Sequence, residues 1–192
     1  MNIINTNFRN AMEFIYQVVK NRENSITIRK NEEIGVWVFD KSKLNLEYCE
    51  KNNIPINDVS SFGKGDMAGC IVANKNDMSF LITHQSERKI IEFEIEFCKN
   101  FKDFLNNKGL EMSLDGNDYL IDGKKFLGYI IGRHDNINFV TMFVAIDDST
   151  SLIKKICNNT STKKHTNLSQ YDIAANDIIK ILEKSCKNLK II

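Results

Sequence analysis

Apolar positions recur at three- and four-residue steps in three long segments of the chain, residues 10–20, 86–108 and 169–187. This spacing places them on one face of an α-helix, so each segment is predicted to be an amphipathic helix packed on the core. Residues 86–108 carry an aromatic stripe that indicates core packing, and Gly109 marks the end of that helix. Shorter helices are predicted for residues 42–53 and 151–157.

Other segments have the alternating or continuous apolar pattern of β-strands. They are residues 25–29, 34–39, 70–73, 79–83 and 138–146. A polar turn at residues 74–77 separates two of these strands, which are therefore predicted to pair as a hairpin. Pro55 indicates the entry into a further strand or loop.

Residues 117–133 give the strongest local signal in the chain. Asp122-Gly123 lies between two apolar-rich runs, and this dipeptide favours a two-residue β-hairpin because both turn residues must adopt positive φ. Lys124 and Lys125 follow the turn, and successive strand residues face opposite ways. One lysine is therefore expected in solvent and the other across a sheet face, although two exposed lysines remain an alternative.

The order of helix, strands, helix, strands and helix predicts an α+β or mixed α/β fold, with helices packed against a mainly antiparallel sheet. The length of 192 residues fits a single domain spanning residues 1–192.

Composition excludes several functional classes. A net charge of +1 provides no field for attracting polyanions, so nucleic-acid binding is disfavoured. The five cysteines and three histidines lack metal-ligand spacing, so no metal site is predicted, and free thiols fit a reducing cytosol. The sequence shows neither a signal peptide nor an apolar run of membrane-spanning length, which predicts a cytoplasmic protein with no membrane partner.

Residues 60–70 are the glycine-richest part of the chain, where backbone amides can approach a phosphate closely. They match neither the Walker pattern nor the dinucleotide fingerprint, so a surface loop is the alternative interpretation. Cys70 ends this segment, and a buried structural thiol is weighed there against a nucleophile.

Four short motifs occur in the same order as in one known superfamily. Residues 10–13 read Asn-Ala-Met-Glu, residues 47–56 lead into the glycine-rich segment, residues 117–128 contain Asn-Asp and Gly-Lys-Lys-Phe-Leu-Gly, and residues 164–169 read Lys-His-Thr-Asn-Leu-Ser. Together they resemble the lipoate–protein ligase and biotin–protein ligase superfamily, which includes octanoyltransferases. The resemblance spans nearly the whole chain.

This resemblance implies a divergent acyltransferase. Such an enzyme activates a lipoate-, octanoate- or biotin-type acid with ATP and Mg²⁺ and passes the acyl group to a lysine of a lipoyl or biotinyl carrier domain. The family's functional lysine matches Lys125, whose ammonium would stabilise acyl and phosphate charge. The other implied substrate- or nucleotide-binding residues are Asn117, Asp118, Gly123, Gly128, Lys64, Gly65, Ala68, Gly69 and Cys70.

The chain also departs from the family pattern. Asp58 and Val59 stand near the positions of an arginine pair, Met67-Ala68-Gly69 replaces a triple glycine, and Lys64 is the nearby cation that can substitute. These differences leave the alternative of a catalytically inactive module that binds a ligand or protein. The family's ligases commonly carry a further carboxy-terminal domain and none follows residue 192, so an accessory subunit of a split ligase is a third possibility.

Overall fold

The computed structural model describes residues 2–6, 24–58, 70–134, 136–158 and 164–187. The strands are β1 (Asn2–Thr6), β2 (Ser25–Asn31), β3 (Gly35–Val38), β4 (Ile56–Asp58), β5 (Cys70–Ala73), β6 (Met78–His84), β7 (Met112–Asp115), β8 (Asp118–Ile121), β9 (Lys124–His134) and β10 (Ile137–Val144). The α-helices are α1 (Leu46–Lys51), α2 (Glu87–Asn106), α3 (Thr150–Ile156) and α4 (Ala175–Lys187).

The strands form two sheets. One has seven strands in the order β1-β2-β6-β10-β9-β8-β7, and the other has three in the order β4-β3-β5. Pairing is antiparallel except between β1 and β2 and between β3 and β4. The predicted fold class, a mainly antiparallel sheet flanked by helices, is confirmed.

Helices α2 and α4 cover one face of the seven-stranded sheet. Apolar side chains of both helices share one buried cluster with β2, β6, β9 and β10, including Ile28, Phe80, Phe97 and Ile181. Asn100 Nδ2 of α2 donates to Ser185 Oγ of α4 at 3.0 Å in the buried contact between the helices. The main core therefore lies between these helices and the sheet.

The three-stranded sheet lies over the opposite face of the seven-stranded sheet. Trp37 of β3 packs on Phe143 of β10 with ring centroids 5.9 Å apart. The guanidinium of Arg29 on β2 lies 4.8 Å from the Trp37 ring centroid, and its Nε donates to Ser79 Oγ. Burial lowers the pKa of Arg29 to about 10. The two sheets thus form adjacent layers.

Some predicted elements have different bounds. The segment 42–53 begins with a 3-10 turn at Lys41–Lys43, and α1 follows with Asn45 as its cap, because Asn45 Oδ1 accepts from Tyr48 N. The closing segment contains a 3-10 turn at Leu168–Tyr171 before α4 begins. Asp172, with φ of 53°, interrupts the helical path between the two. The predicted helix at residues 10–20 lies outside the described residues.

The predicted hairpin of residues 70–73 with 79–83 is wrong. β5 pairs with β3, whereas β6 pairs with β2 and β10. The connection between them instead bonds to the end of β2, since Asn31 N donates to Asp77 O and Asn76 N donates to Asn31 O, both at 3.0 Å. The polar turn therefore carries the chain from one sheet to the other.

Among the described residues, no helix combines the length and apolar character needed to cross a membrane.

Candidate functional site

The hairpin predicted around Asp122-Gly123 is present as β8 and β9. Both turn residues have positive φ, 50° at Asp122 and 73° at Gly123, as the two-residue turn requires. β9 continues into an antiparallel pair with β10, so three antiparallel strands follow one another in the sheet, as predicted.

A β-bulge at Phe126 determines which lysine faces inward. Leu120 lies opposite Lys125 and Tyr119 lies opposite Leu127, so Phe126 is the extra residue of β9. Phe126 and Leu127 both point into the main core. Lys125 and Gly128 consequently share the other face of the sheet, where a β-carbon on Gly128 would lie 3.2 Å from Lys125 Nζ.

Backbone and side-chain contacts both fix Lys125. Its N donates to Lys164 O at 2.8 Å, and its O accepts from Thr166 N at 2.9 Å, which forms a parallel bridge at His165. Lys125 Nζ lies 2.6 Å from Asp118 Oδ1 on β8, with the two side chains 26% and 15% exposed. The ammonium is therefore held in one place while part of it stays open to a ligand.

A cavity of about 780 Å³ lies beside this ion pair, between the two sheets. Both sheets and α3 contribute to its wall. Apolar lining residues include Phe39, Ile71, Val72, Met78, Ile130, Phe143, Val144 and Ile153, and polar ones include Asn31, Lys43, Asp77, Asp115, Asp147, Asp148 and Thr166. The volume falls in the range of roughly 300–1,000 Å³ typical of small-molecule sites.

The structure places the predicted site residues unevenly. Lys125, Asn117, Asp118, Gly128 and Cys70 line the cavity. Gly123 is in the hairpin turn and is absent from the lining, with no atom within 4 Å of the position its β-carbon would take. The remaining predicted residues, Lys64, Gly65, Ala68 and Gly69, lie outside the described residues.

Sequence reasoning missed several lining residues. Lys43, the last residue of the 3-10 turn, brings a second lysine to the cavity, and Cys157, which directly follows α3, lies beside Cys70. His165 joins the wall through its bridge to Lys125. The motif at residues 164–169 was the sequence signal for His165, but no local pattern identified Lys43 or Cys157.

Asp77 is a buried carboxylate in the cavity wall. It accepts backbone N–H groups from Asn74 and Ile146, both at 2.8 Å, and from Asp147 at 3.3 Å. Burial nevertheless raises the pKa of Asp77 to about 6, with a smaller contribution from the Asp147 charge. This carboxylate therefore ties the turn between the sheets to the end of β10.

Among the described residues there is no cluster of three or more His, Cys, Asp or Glu side chains that could hold a metal ion. Asn117 and Asp118 do carry oxygen donors of the kind that Mg²⁺ prefers. Asp118 pairs with the Lys125 ammonium, and Asn117 lines the same cavity. A Mg²⁺ ion that arrives bound to a nucleotide is compatible with this part of the cavity.

No family model and no curated protein matches the sequence. Solved structures do match the fold. P. falciparum LipL1, solved in complex with lipoate, has a TM-score of 0.76 at 12% identity over 98% of this chain. A bi-partite lipoate protein ligase from Thermoplasma acidophilum, solved with its E2 lipoyl domain, has a TM-score of 0.74 at 12% identity over 98% of this chain and 82% of that one.

The chain has the fold of the lipoate- and biotin-protein ligases. The biotin protein ligase from Aquifex aeolicus, in complex with biotin and ATP, has a TM-score of 0.57 at 11% identity over 98% of this chain and 70% of that one. This chain spans 62% of the length of LipL1. Because the identities are so low, the likeness to these ligases is one of fold.

Proposed function

We propose that this protein is a lipoate/biotin-ligase-like acyltransferase that activates or transfers a small carboxylic acid, with Lys125 as its central charged group. The observation that carries the proposal is the Lys125–Asp118 ion pair on the wall of a largely apolar cavity within a ligase fold. Solved proteins of this fold bind lipoate, or biotin and ATP. A lipoate-, octanoate- or biotin-type acid is therefore the proposed substrate.

The geometry gives Lys125 a physical task. Its ammonium is held by Asp118 and its main chain by hydrogen bonds to residues 164 and 166, so little reorganisation is needed when negative charge grows on an acyl or phosphate oxygen. One preorganised donor of this kind is worth roughly 2.7–4 kcal/mol of transition-state stabilisation. The apolar lining beside it would take the acyl chain, with the carboxyl group directed towards Lys125.

ATP is the proposed activating substrate, and Lys43 supplies a cation that the sequence pattern did not reveal. It is half-buried and lines the same cavity as Lys125. We assign it to the nucleotide phosphates, together with Lys64 from the glycine-rich segment. Lysine acts there as a point charge and lacks the two-pronged donor geometry of arginine.

The proposed acceptor is a lysine of a lipoyl or biotinyl carrier domain. The lipoate ligase from Thermoplasma acidophilum was solved together with such an E2 lipoyl domain. Once the acid is activated, the acceptor amine attacks a carbonyl whose leaving group is already in place. The hairpin then needs only to hold charge and to orient the acyl group.

The test compares Lys125→Ala with Lys124→Ala, the neighbouring exposed lysine on the same strand. Each variant is incubated with lipoyl domain and lipoate, octanoate or biotin, with ATP and Mg²⁺ and, separately, with an acyl thioester donor. We expect Lys125→Ala to lower transfer by about 10²–10³-fold and Lys124→Ala to leave it near wild type. If the wild-type protein neither forms an acyl-adenylate nor transfers an acyl group from any donor, the proposal is refuted.

A second candidate is a binding module that has lost catalysis. Asp58, which stands near the family's arginine positions, pairs with Lys41 at 3.0 Å. A carboxylate there cannot take over phosphate binding. This candidate predicts that the protein binds an acyl ligand without forming product, and that Lys125→Ala weakens binding measured by calorimetry.

A third candidate is an accessory or partner-dependent subunit, because one of the similar structures is a bi-partite ligase. Activity that appears only after a second chain is added, and copurification of that chain, would support it. Full activity of the isolated protein would exclude it.

A further inference from the structure

Two cysteines from distant parts of the sequence meet in the cavity wall. Cys70 is the first residue of β5, and Cys157 directly follows α3. Their Sγ atoms lie 2.8 Å apart although 87 residues separate them. Both side chains are half-buried, both are free thiols, and both line the cavity. A small molecule entering the cavity can therefore reach either sulfur.

The surrounding backbone fixes this approach. Cys157 N donates to Ile153 O at 2.9 Å, and Leu44 forms a bridge opposite Cys157. On the other side, Cys70 is paired with Val38 in the three-stranded sheet. A covalent disulfide has an S–S length of about 2.05 Å, so the two sulfur atoms, now 2.8 Å apart, need to approach by less than about 1 Å to form the bond.

The two thiols are not equivalent. Either sulfur can be the donor of the hydrogen bond between them; with Cys70 as the donor, the contact lowers the pKa of Cys157. The same contact, together with burial, raises the pKa of Cys70. Cys157 therefore has the greater thiolate character, and the thiolate is the nucleophile in thiol chemistry.

We propose that Cys70 and Cys157 are a redox modification site, where a low-molecular-weight disulfide oxidises the pair to an intramolecular disulfide that joins β5 to the end of α3. The Cys157 thiolate attacks one sulfur of the small disulfide, which forms a mixed disulfide and releases one small thiolate. The Cys70 thiol then loses its proton and attacks Cys157 Sγ. The second small thiolate leaves, so that two protein thiols are oxidised and one small disulfide is reduced to two thiols.

Two of the other described cysteines provide internal comparisons. Cys49 is fully buried in the neighbouring cluster, so a small disulfide cannot reach it directly. Cys98 on α2 is half-buried like Cys70 but sits on the other side of the large sheet, against the main core. Cys98→Ser is therefore the matched control for Cys70→Ser and Cys157→Ser.

The test incubates the protein with oxidised glutathione, blocks remaining thiols by alkylation, and maps disulfide-linked peptides by mass spectrometry. We expect a Cys70–Cys157 link, reversed by excess dithiothreitol. Because the bond closes a long loop, the unfolding midpoint of the oxidised protein should rise by about 10 °C. Cys70→Ser and Cys157→Ser should lose both the link and the rise, whereas Cys98→Ser should keep them.

Three results would overturn the proposal: separate glutathione adducts on Cys70 and Cys157, a link through Cys49, or a rise in midpoint that persists in Cys70→Ser. Peptide mapping of the wild-type protein decides the first two without any variant. None of these measurements depends on acyl transfer, so the proposed enzymatic function can fail while this site stands, or the reverse.

Discussion

Gly128 and Gly132 lie on the cavity face of β9. Substitution by alanine should lower mainly activity at Gly128 and mainly stability at Gly132. An alanine at Gly128 would place its β-carbon 3.2 Å from Lys125 Nζ and 3.3 Å from Asp118 Oδ1. An alanine at Gly132 would place it 2.5 Å from Cζ of Phe139. Neither glycine has a positive φ, so the added carbon acts through contacts alone.

The magnitudes follow from what must move. At Gly128 the crowded atoms include the end of a flexible lysine, which needs to shift by a few tenths of an ångström. We expect this to cost under about 1 kcal/mol of stability, below the usual range for overpacking. It would also displace the ammonium and carboxylate, and small misplacements of reacting groups cost up to about 10²-fold in rate. We therefore expect acyl transfer by Gly128→Ala to fall by about 10- to 100-fold.

Gly132→Ala should instead destabilise the fold. Phe139 is buried against Leu81 and Ile130, so its ring cannot move aside without disturbing that cluster. Overpacking of this kind costs about 1–3 kcal/mol, which lowers the unfolding midpoint by about 2–12 °C for a chain of this size. Activity per folded molecule should remain closer to wild type than in Gly128→Ala.

The assay pairs thermal unfolding with acyl transfer for both variants at a temperature where both are folded. The reasoning fails if Gly128→Ala retains full activity, or if it is destabilised more than Gly132→Ala. It also fails if both variants lose activity only in proportion to their loss of folded protein. In the first and third cases the Lys125–Asp118 geometry would not control the reaction.

Two further predictions concern stability. Because the raised pKa of Asp77, about 6, exceeds its ordinary value of 3.8, the contribution of Asp77 to the free energy of unfolding is greatest below pH 4. This contribution should decrease by up to about 3 kcal/mol as the pH rises through 6. Denaturant titrations of Asp77→Asn should lack this pH dependence of the free energy of unfolding. If the variant keeps the wild-type pH dependence, Asp77 is not the group responsible. Gly123→Ala forces an alanine to adopt a φ of 73°, which should cost about 1–2 kcal/mol of stability. Acyl transfer should be unchanged in this variant. A loss of transfer without further loss of stability would show that Gly123 belongs to the site.

Sequence reasoning succeeded where the signal is local. Asp122-Gly123 indicated a turn because few residues tolerate positive φ, and the hairpin lies where it was predicted. The three-to-four-residue spacing in 86–108 likewise predicted α2, whose apolar stripe faces the core. In both cases the determining physics lies within a few residues of the element.

Sequence reasoning failed where the partner is distant. Residues 70–73 and 79–83 look like a hairpin because a short polar turn joins them, yet the strands belong to different sheets. The Asp77 carboxylate binds backbone groups of Ile146 and Asp147, almost 70 residues away, and no local pattern reveals that contact. Lys43 and Cys157 escaped notice for the same reason, since the fold alone brings them to the cavity.

The Phe126 bulge shows why the candidate site could be only half predicted. Strict alternation along β9 would put Lys125 and Gly128, three residues apart, on opposite faces of the sheet. The extra residue reverses that expectation, sends both Phe126 and Leu127 into the core, and leaves Lys125 and Gly128 together at the cavity. Asp118 can then pair with the ammonium across the space that glycine leaves open. An inward lysine was therefore predictable from the turn, whereas its partner and the need for glycine at position 128 depend on a shift of register that the sequence pattern does not show.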